Sequence, residues 1–231
     1  MPAERAARPR ALLAWSGGKD AAWALHALRS AGEVEVVGLL TTLAAGTGRA
    51  AMQDVPVEVL RAQAGAAGLP LLAWSLPAGA GNEAYEAGFA DALAGARARW
   101  PGLSRIAFGD LHLADIRAWR EALCARLGWQ ALFPLFGADT AALARAMLEG
   151  GLQARLCCVD TTRLDAAFAG RAFDAALMAA LPPGVDPCGE HGEFHTCASA
   201  GPMFRRPLAL RVGATTLRDG RFACSELRLA A

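Results

Sequence analysis

A chain of 231 residues with 54% hydrophobic and 19% charged side chains can bury a large core, which excludes a disordered chain and suits one large α/β domain or a core domain with a smaller companion. Its 23 Lys and Arg against 22 Asp and Glu form no long block of one sign, so charge argues against a nucleic-acid or membrane-surface partner. No apolar run approaches the ~18 residues of a membrane span, and residues 11–15, which follow Arg5, Arg8 and Arg10, are too few for the apolar core of a signal peptide, so a cytoplasmic protein without membrane partners is expected.

The apolar run 11–15 predicts a buried strand. A Gly-Gly turn follows, and residues 20–29 have helical spacing, with Trp23, Ala24, Ala27 and Leu28 on one side and Gly32 as C-cap. The β-branched stretch 34–40 predicts a second strand. Strand, helix and strand within about 30 residues make a βαβ unit and a parallel sheet. After a Gly- and Ala-rich loop over 43–52, a helix is predicted over 55–67, a strand over 71–75, a helix over 82–99, a strand over 105–108 and a helix over 114–127. The alternation describes an open, doubly wound sheet with helices on both faces. Beyond Gly128 the rhythm changes. Helices are predicted over 139–148, 164–168 and 172–181, with a strand over 153–160, and Pro182-Pro183-Gly184 opens a long loop. Strands over 208–217 and 221–229 flank Asp219-Gly220, a type I′ hairpin signal. A boundary near residue 130 gives a first domain over 1–130 and a smaller α+β domain over 131–231. Cys124, Cys157, Cys158, Cys188, Cys197 and Cys224 are scattered along a chain that does not look secreted, so free thiols are expected.

Ser16-Gly17-Gly18-Lys19-Asp20 lies between the first strand and the first helix, where open α/β sheets bind ligands. Glycines let backbone N–H groups and the helix dipole approach an anion. Ser16 adds a hydroxyl and Lys19 a point charge for phosphate oxygens. Asp20 would repel a bare phosphate, so its expected task is holding Mg²⁺ or orienting the loop. The Walker A spacing is absent. A tight turn that binds nothing is the competing reading.

Residues 187–196, Pro-Cys-Gly-Glu-His-Gly-Glu-Phe-His-Thr, concentrate carboxylates and imidazoles between glycines. Such a run suits Mg²⁺ coordination, an ammonium grip or general-base work. Zinc ligation by Cys188, His191, His195 and Cys197 and a purely structural loop are the alternatives.

Together the two motifs resemble the diphthine–ammonia ligase family, a branch of the N-type ATP pyrophosphatases. The resemblance rests on residues 16–20 and on Gly189 to Thr196. Gln63-Ala64, Gly68-Leu69-Pro70, Gly109-Asp110-Leu111 with Arg117, residues 150–154 and Gly201-Pro202-Met203-Phe204 support it. It covers roughly residues 11–205. One departure stands out: Ala21 replaces the family's Ser. The resemblance implies a Rossmann-like nucleotide-hydrolase sheet with the active site between it and the second domain. It implies ATP and Mg²⁺ as cofactors, with ammonia or ammonium and an unidentified carboxylate, on a protein or a small molecule, as partners. The activity implied is adenylation of that carboxylate and displacement of AMP by ammonia. Carried onto this sequence, Ser16, Gly17, Gly18, Lys19, Asp20, Thr41, Gly109 and Asp110 would bind ATP, with Asp20 on the metal. Lys19, Asp20, Glu190, Glu193 and His195 would be catalytic, and Arg117, Gly192, Glu193 and Thr196 would meet the substrate. Glu190, Glu193 and His195 are expected to face the nucleotide from the second domain. A cobalamin-salvage-related enzyme, a tRNA-modifying enzyme of the same loop class and a non-catalytic nucleotide sensor are the other readings, and a homodimer is compatible with all of them.

Overall fold

The computed structural model describes residues 8–230, so Arg5 of the N-terminal arginine group lies outside it. The first sheet takes β1 (Arg10–Ala14), β2 (Glu35–Ala44), β3 (Arg49–Ala50), β4 (Leu71–Leu76), β5 (Arg105–Ala107) and β6 (Gln130–Leu132). β4, β2, β1, β5 and β6 run side by side in that order and all parallel, and β3 adds a short antiparallel pairing to the far end of β2. The chain fills one side of β1 first and then crosses to the other with β5. The C-terminal end of β1 is therefore a topological switch point.

Strand alternation divides the core. Leu12, Leu40 and Ile106 face α3 (Asn82–Arg99) and α4 (Ala114–Arg126), whereas Leu13, Leu39 and Ala107 face α1 (Lys19–Ala31) and α2 (Val57–Ala67). Gly32 and Gly68 close α1 and α2 in the left-handed region, at φ 66° and 70°, where glycine carries no Cβ penalty. The helices and parallel strands expected before residue 128 are present, whereas the helix expected over 164–168 is a single 3-10 turn, Ala166–Phe168. β3 and β6 were not expected, each being two or three residues long, and β6 lies across the boundary placed near residue 130.

The second sheet has the antiparallel order β8-β7-β10-β9, from β7 (Gln153–Asp160), β8 (Phe194–Ala200), β9 (Leu210–Arg218) and β10 (Phe222–Leu229). Two helices accompany it, α5 (Thr140–Glu149) and α6 (Ala175–Ala180). Asp139 and Asp174 cap them, accepting from the N–H groups of Ala142 and Leu177. Asp219 and Gly220, both at positive φ, make the tight turn expected between β9 and β10. β8 replaces part of the long loop expected after residue 182. The apolar cluster of α1 and α2 continues without a break into Leu156, Cys157 and Val159 of β7 and Phe194 and Cys197 of β8, so the second sheet shares a core with the first. Cys158 and Cys224 sit opposite each other on β7 and β10 and form a disulfide. That corrects the free-thiol expectation for these two; Cys124, Cys157, Cys188 and Cys197 are free and buried.

Candidate functional site: the β1–α1 loop and the strand that clamps it

The Ser16–Asp20 loop leaves β1 at the switch point. Gly17 has φ 81°, and a Cβ there would lie 2.7 Å from a Leu60 methyl group and 2.9 Å from the Gln63 side-chain oxygen. Only glycine satisfies both constraints. A Cβ on Gly109, just after β5, would stand 3.0 Å from the backbone of Asp20 and Ala21, so that glycine lets the β5–α4 turn press against the start of α1. Gly18, at the N-cap of α1, brings no side-chain acceptor to the helix start. The first ladder bond runs from the Ala22 N–H to Gly18 O at 3.1 Å, so the N–H groups of Asp20 and Ala21 precede the ladder, as an anion site requires. Ser16 Oγ accepts from the Gly18 N–H at 3.2 Å.

β8 holds this loop from the side. The Lys19 N–H donates to Thr196 Oγ1 at 3.0 Å, and the Ala198 N–H donates to Gly17 O at 2.9 Å. Gln63 of α2, fully buried, joins the same point. Its Oε1 accepts from Trp15 Nε1 at 2.9 Å, and its Nε2 donates to Gly17 O at 2.9 Å and to Ala198 O at 2.7 Å. One amide thus links β1, the loop, α2 and β8. The sequence offered one hint, a lone amide at an inward position of an apolar helix.

Lys19 is only 1% exposed. Its ammonium lies 2.8 Å from both oxygens of Asp20 and donates to Cys188 O, with the rings of Phe173 and Phe194 each 5.7 Å away. Burial opposes the charge on Lys19, but the Asp20 carboxylate together with Cys188 and Glu190 more than offsets it, and the pKa ends above its ordinary value. Lys19 thereby ties the late loop to the phosphate loop. Asp20 keeps 30% of its side chain exposed and remains open on one face.

The carboxylates of the late motif have backbone partners. Glu190 Oε1 accepts from the N–H groups of Leu111 and His112, at 3.1 and 2.9 Å, docking the motif on the β5–α4 turn. Glu193, 3% exposed, accepts from Asp186 N–H at 3.2 Å and His191 N–H at 3.0 Å. A buried carboxylate needs donors, and these N–H groups supply what a cation or substrate amine was expected to supply. Asp186, which the sequence did not single out, accepts from the N–H groups of Cys188 and Glu190 and from the Thr140 hydroxyl. His195 is held neutral: burial lowers its pKa first, and the nearby Lys19 charge lowers it further. Cys188 and Cys197 are pushed up to about 12 by burial, which removes them as nucleophiles. Among the described residues no three His, Cys, Asp or Glu side chains come together as a metal site, so Cys188, His191, His195 and Cys197 do not form a zinc cluster.

Thr41, near the middle of β2, is buried, and among the described residues its hydroxyl has no hydrogen-bond partner. A lone buried hydroxyl carries a cost that a ligand atom can relieve. Asp110 follows Gly109, and Arg120 Nε lies 2.8 Å from its Oδ2 at an ion-pair distance without hydrogen-bond alignment. Arg117 is on the exposed side of α4, stacked on Phe136 at 4.5 Å and bonded to Glu121. His191, Gly192 and His195 line a cavity of about 440 Å³ between the turn at 51–54 and the second sheet.

A parallel sheet crossing over at β1, with a glycine-rich loop and a helix N-terminus at that point, defines a Rossmann-like nucleotide-binding protein. Sequence comparison narrows the class. The diphthamide synthase N-terminal domain matches residues 9–131, and the diphthamide synthase C-terminal domain matches residues 139–219. The chain belongs to the diphthamide synthase family. Membership implies an ATP-using enzyme of the phosphate-loop pyrophosphatase type, which normally works with Mg²⁺. A search of curated proteins found no significant match, and no helix among the described residues is long and apolar enough to cross a membrane.

Proposed function

We propose that this protein is an AMP-forming carboxylate–ammonia ligase. A carboxylate oxygen attacks the α-phosphorus of ATP, and pyrophosphate leaves. The lone pair of ammonia then attacks the acyl carbon, the bond to the AMP oxygen breaks, and the nitrogen loses a proton as the amide forms. The observation that carries this reading is the phosphate loop at the switch point, clamped by Thr196 and Ala198 of β8.

Ser16, Gly17, Gly18 and the N–H groups that open α1 bind the phosphates, where a helix N-terminus favours negative charge. Thr41 supplies an unused hydroxyl toward the nucleoside. Asp20 would hold Mg²⁺ with its open face, and the ion supplies charge neutralisation for the leaving pyrophosphate. Lys19 adds a fixed positive charge beside Asp20. Glu190 and Glu193 act as positioning residues that shape the loop carrying Cys188 O. His195, neutral because of its burial and the Lys19 charge, is the side chain suited to accept the proton released from nitrogen.

Incubation with ATP, Mg²⁺, ammonium and a panel of carboxylates, followed by nucleotide chromatography, tests the reading. AMP and pyrophosphate are expected, and their formation should need a carboxylate. ADP and phosphate as sole products would overturn it. Ala21, where the family has Ser, favours a second reading, a nucleotide sensor, which predicts MgATP binding with no turnover in the same assay.

A further inference from the structure

We infer that the cavity between the 51–54 turn and the second sheet is the acceptor pocket, and that it takes a small carboxylic acid carrying a second anionic group. The inference rests on the ligase reading above. The cavity's volume of about 440 Å³ is in the range of small-molecule sites and holds no folded protein surface. It neighbours the phosphate loop through His195 of β8, which lines the cavity and lies within reach of the charges on Lys19 and Asp20. An acceptor there would sit beside the loop that presents ATP.

Charge at the mouth defines what fits. Asp54 is shared by the guanidiniums of Arg49 and Arg218, and Asp160 by those of Arg221 and, at 3.9 Å, Arg163. Asp219, in the exposed turn, is a further carboxylate on the rim, so three guanidiniums and three carboxylates line the cavity, with Arg49 behind Asp54 as a fourth cation. Arginine keeps several donors after meeting one carboxylate, and its fork suits carboxylate or phosphate oxygens. Arg163 is half-exposed with only that long contact to Asp160, so it is the guanidinium most available to a ligand. The opposite wall is fixed in place. Asp54 adopts φ 57°, a conformation few non-glycine residues hold, and Arg49 Nε stabilises it by donating to its carbonyl and carboxylate at 3.0 and 2.8 Å. One end of the acceptor would then present its carboxylate toward His195 and the loop, and the other would meet the arginines.

Calorimetry on the full chain tests this with three probes: glutarate, 3-phosphonopropionate and butyrate. The first two distinguish a carboxylate from a phosphorus-based second anion, and butyrate lacks one. At least one di-anion should bind about tenfold or more tighter than butyrate. Met52→Trp, at a position 70% exposed on the cavity wall, should fill the mouth, and Arg163→Gln should remove the free cation. Each should weaken the di-anion about tenfold with MgATP affinity unchanged. Equal affinity for butyrate, no di-anion binding, full di-anion affinity in both variants, or loss of MgATP binding in Met52→Trp would each overturn the inference. Binding with the expected pattern but no AMP would leave the pocket standing and remove the ligase reading. AMP formation from an acceptor whose KM ignores both variants would do the reverse.

Discussion

Gln63 offers the most direct test of how the loop is held. Gln63→Leu nearly conserves volume and removes every polar contact. Gly17 O would keep the Ala198 N–H, but Trp15 Nε1 and Ala198 O would each lose the amide that pairs with them. Two buried groups left unpaired, at about 1–3 kcal/mol each, give a loss of roughly 2–6 kcal/mol. Gln63→Glu is the sharper probe. It keeps an acceptor for Trp15 but sets an oxygen against Gly17 O and Ala198 O, at the present 2.9 and 2.7 Å. That site favours the protonated acid and raises its pKa. The folded state then holds more protons than the unfolded state above the ordinary value of about 4.3. Stability should therefore fall with rising pH, by ~1.4 kcal/mol per unit, and level off above the raised folded pKa. Thermal unfolding of variant and wild type between about pH 5 and 8, with MgATP titrations at each pH, reads both effects. A constant Tm difference across that range, together with wild-type MgATP affinity, would refute the clamp.

Lys19→Ala should weaken MgATP binding by about 1.5–3 kcal/mol and also lower Tm, because Asp20 and Cys188 O lose a buried donor; calorimetry reads both, and an unchanged Tm would show that the buried contacts are dispensable. Ala21→Ser should tighten MgATP by about 0.5–1.5 kcal/mol through a restored hydroxyl, and no change would mean that the loop does without one. Glu193→Gln should cost about 1–3 kcal/mol in thermal unfolding, since one of two loop N–H groups loses its acceptor, and should reduce turnover without abolishing it. His195 has a depressed pKa in the fold, so the unfolded chain binds the extra proton first as pH drops below about 6.5. Wild type should accordingly lose more stability on acidification through that value than His195→Gln does, as pH-dependent unfolding curves will show.

The phosphate loop and the parallel strands were legible because their signals are local. Residues 10–40 carry strand, glycine turn, amphipathic helix and β-branched strand in one uninterrupted βαβ register, and Gly32 marks the helix end. β8 hid for a physical reason. Residues 194–200, Phe-His-Thr-Cys-Ala-Ser-Ala, are polar where they meet the phosphate loop, so the alternation that announces a half-buried strand is blurred. β6 has only three residues, and its pairing with β5 comes from sheet position, with no pattern of its own to show it.

The same division explains the late motif. Its residue types were read as ligand-facing because buried carboxylates require donors, and a sequence does not display which donors are near. In the fold, Gly189 and Gly192, both at positive φ, turn the chain so that the N–H groups of Cys188, Glu190 and His191 point inward at Asp186 and Glu193. The glycines thus admit the loop's own backbone, and Gly192 also lines the cavity. Glu190 reaches outward from that compact turn to the N–H groups of Leu111 and His112, beside Gly109, whose missing side chain lets the turn lie against Asp20 and Ala21. The motif therefore acts on the nucleotide site through position: three carboxylates set the backbone, the backbone sets Cys188 O and Thr196, and these fix Lys19. Of its ionisable side chains, that leaves the two imidazoles at the cavity free for chemistry, with His195, the one next to the Lys19–Asp20 pair, as the candidate base.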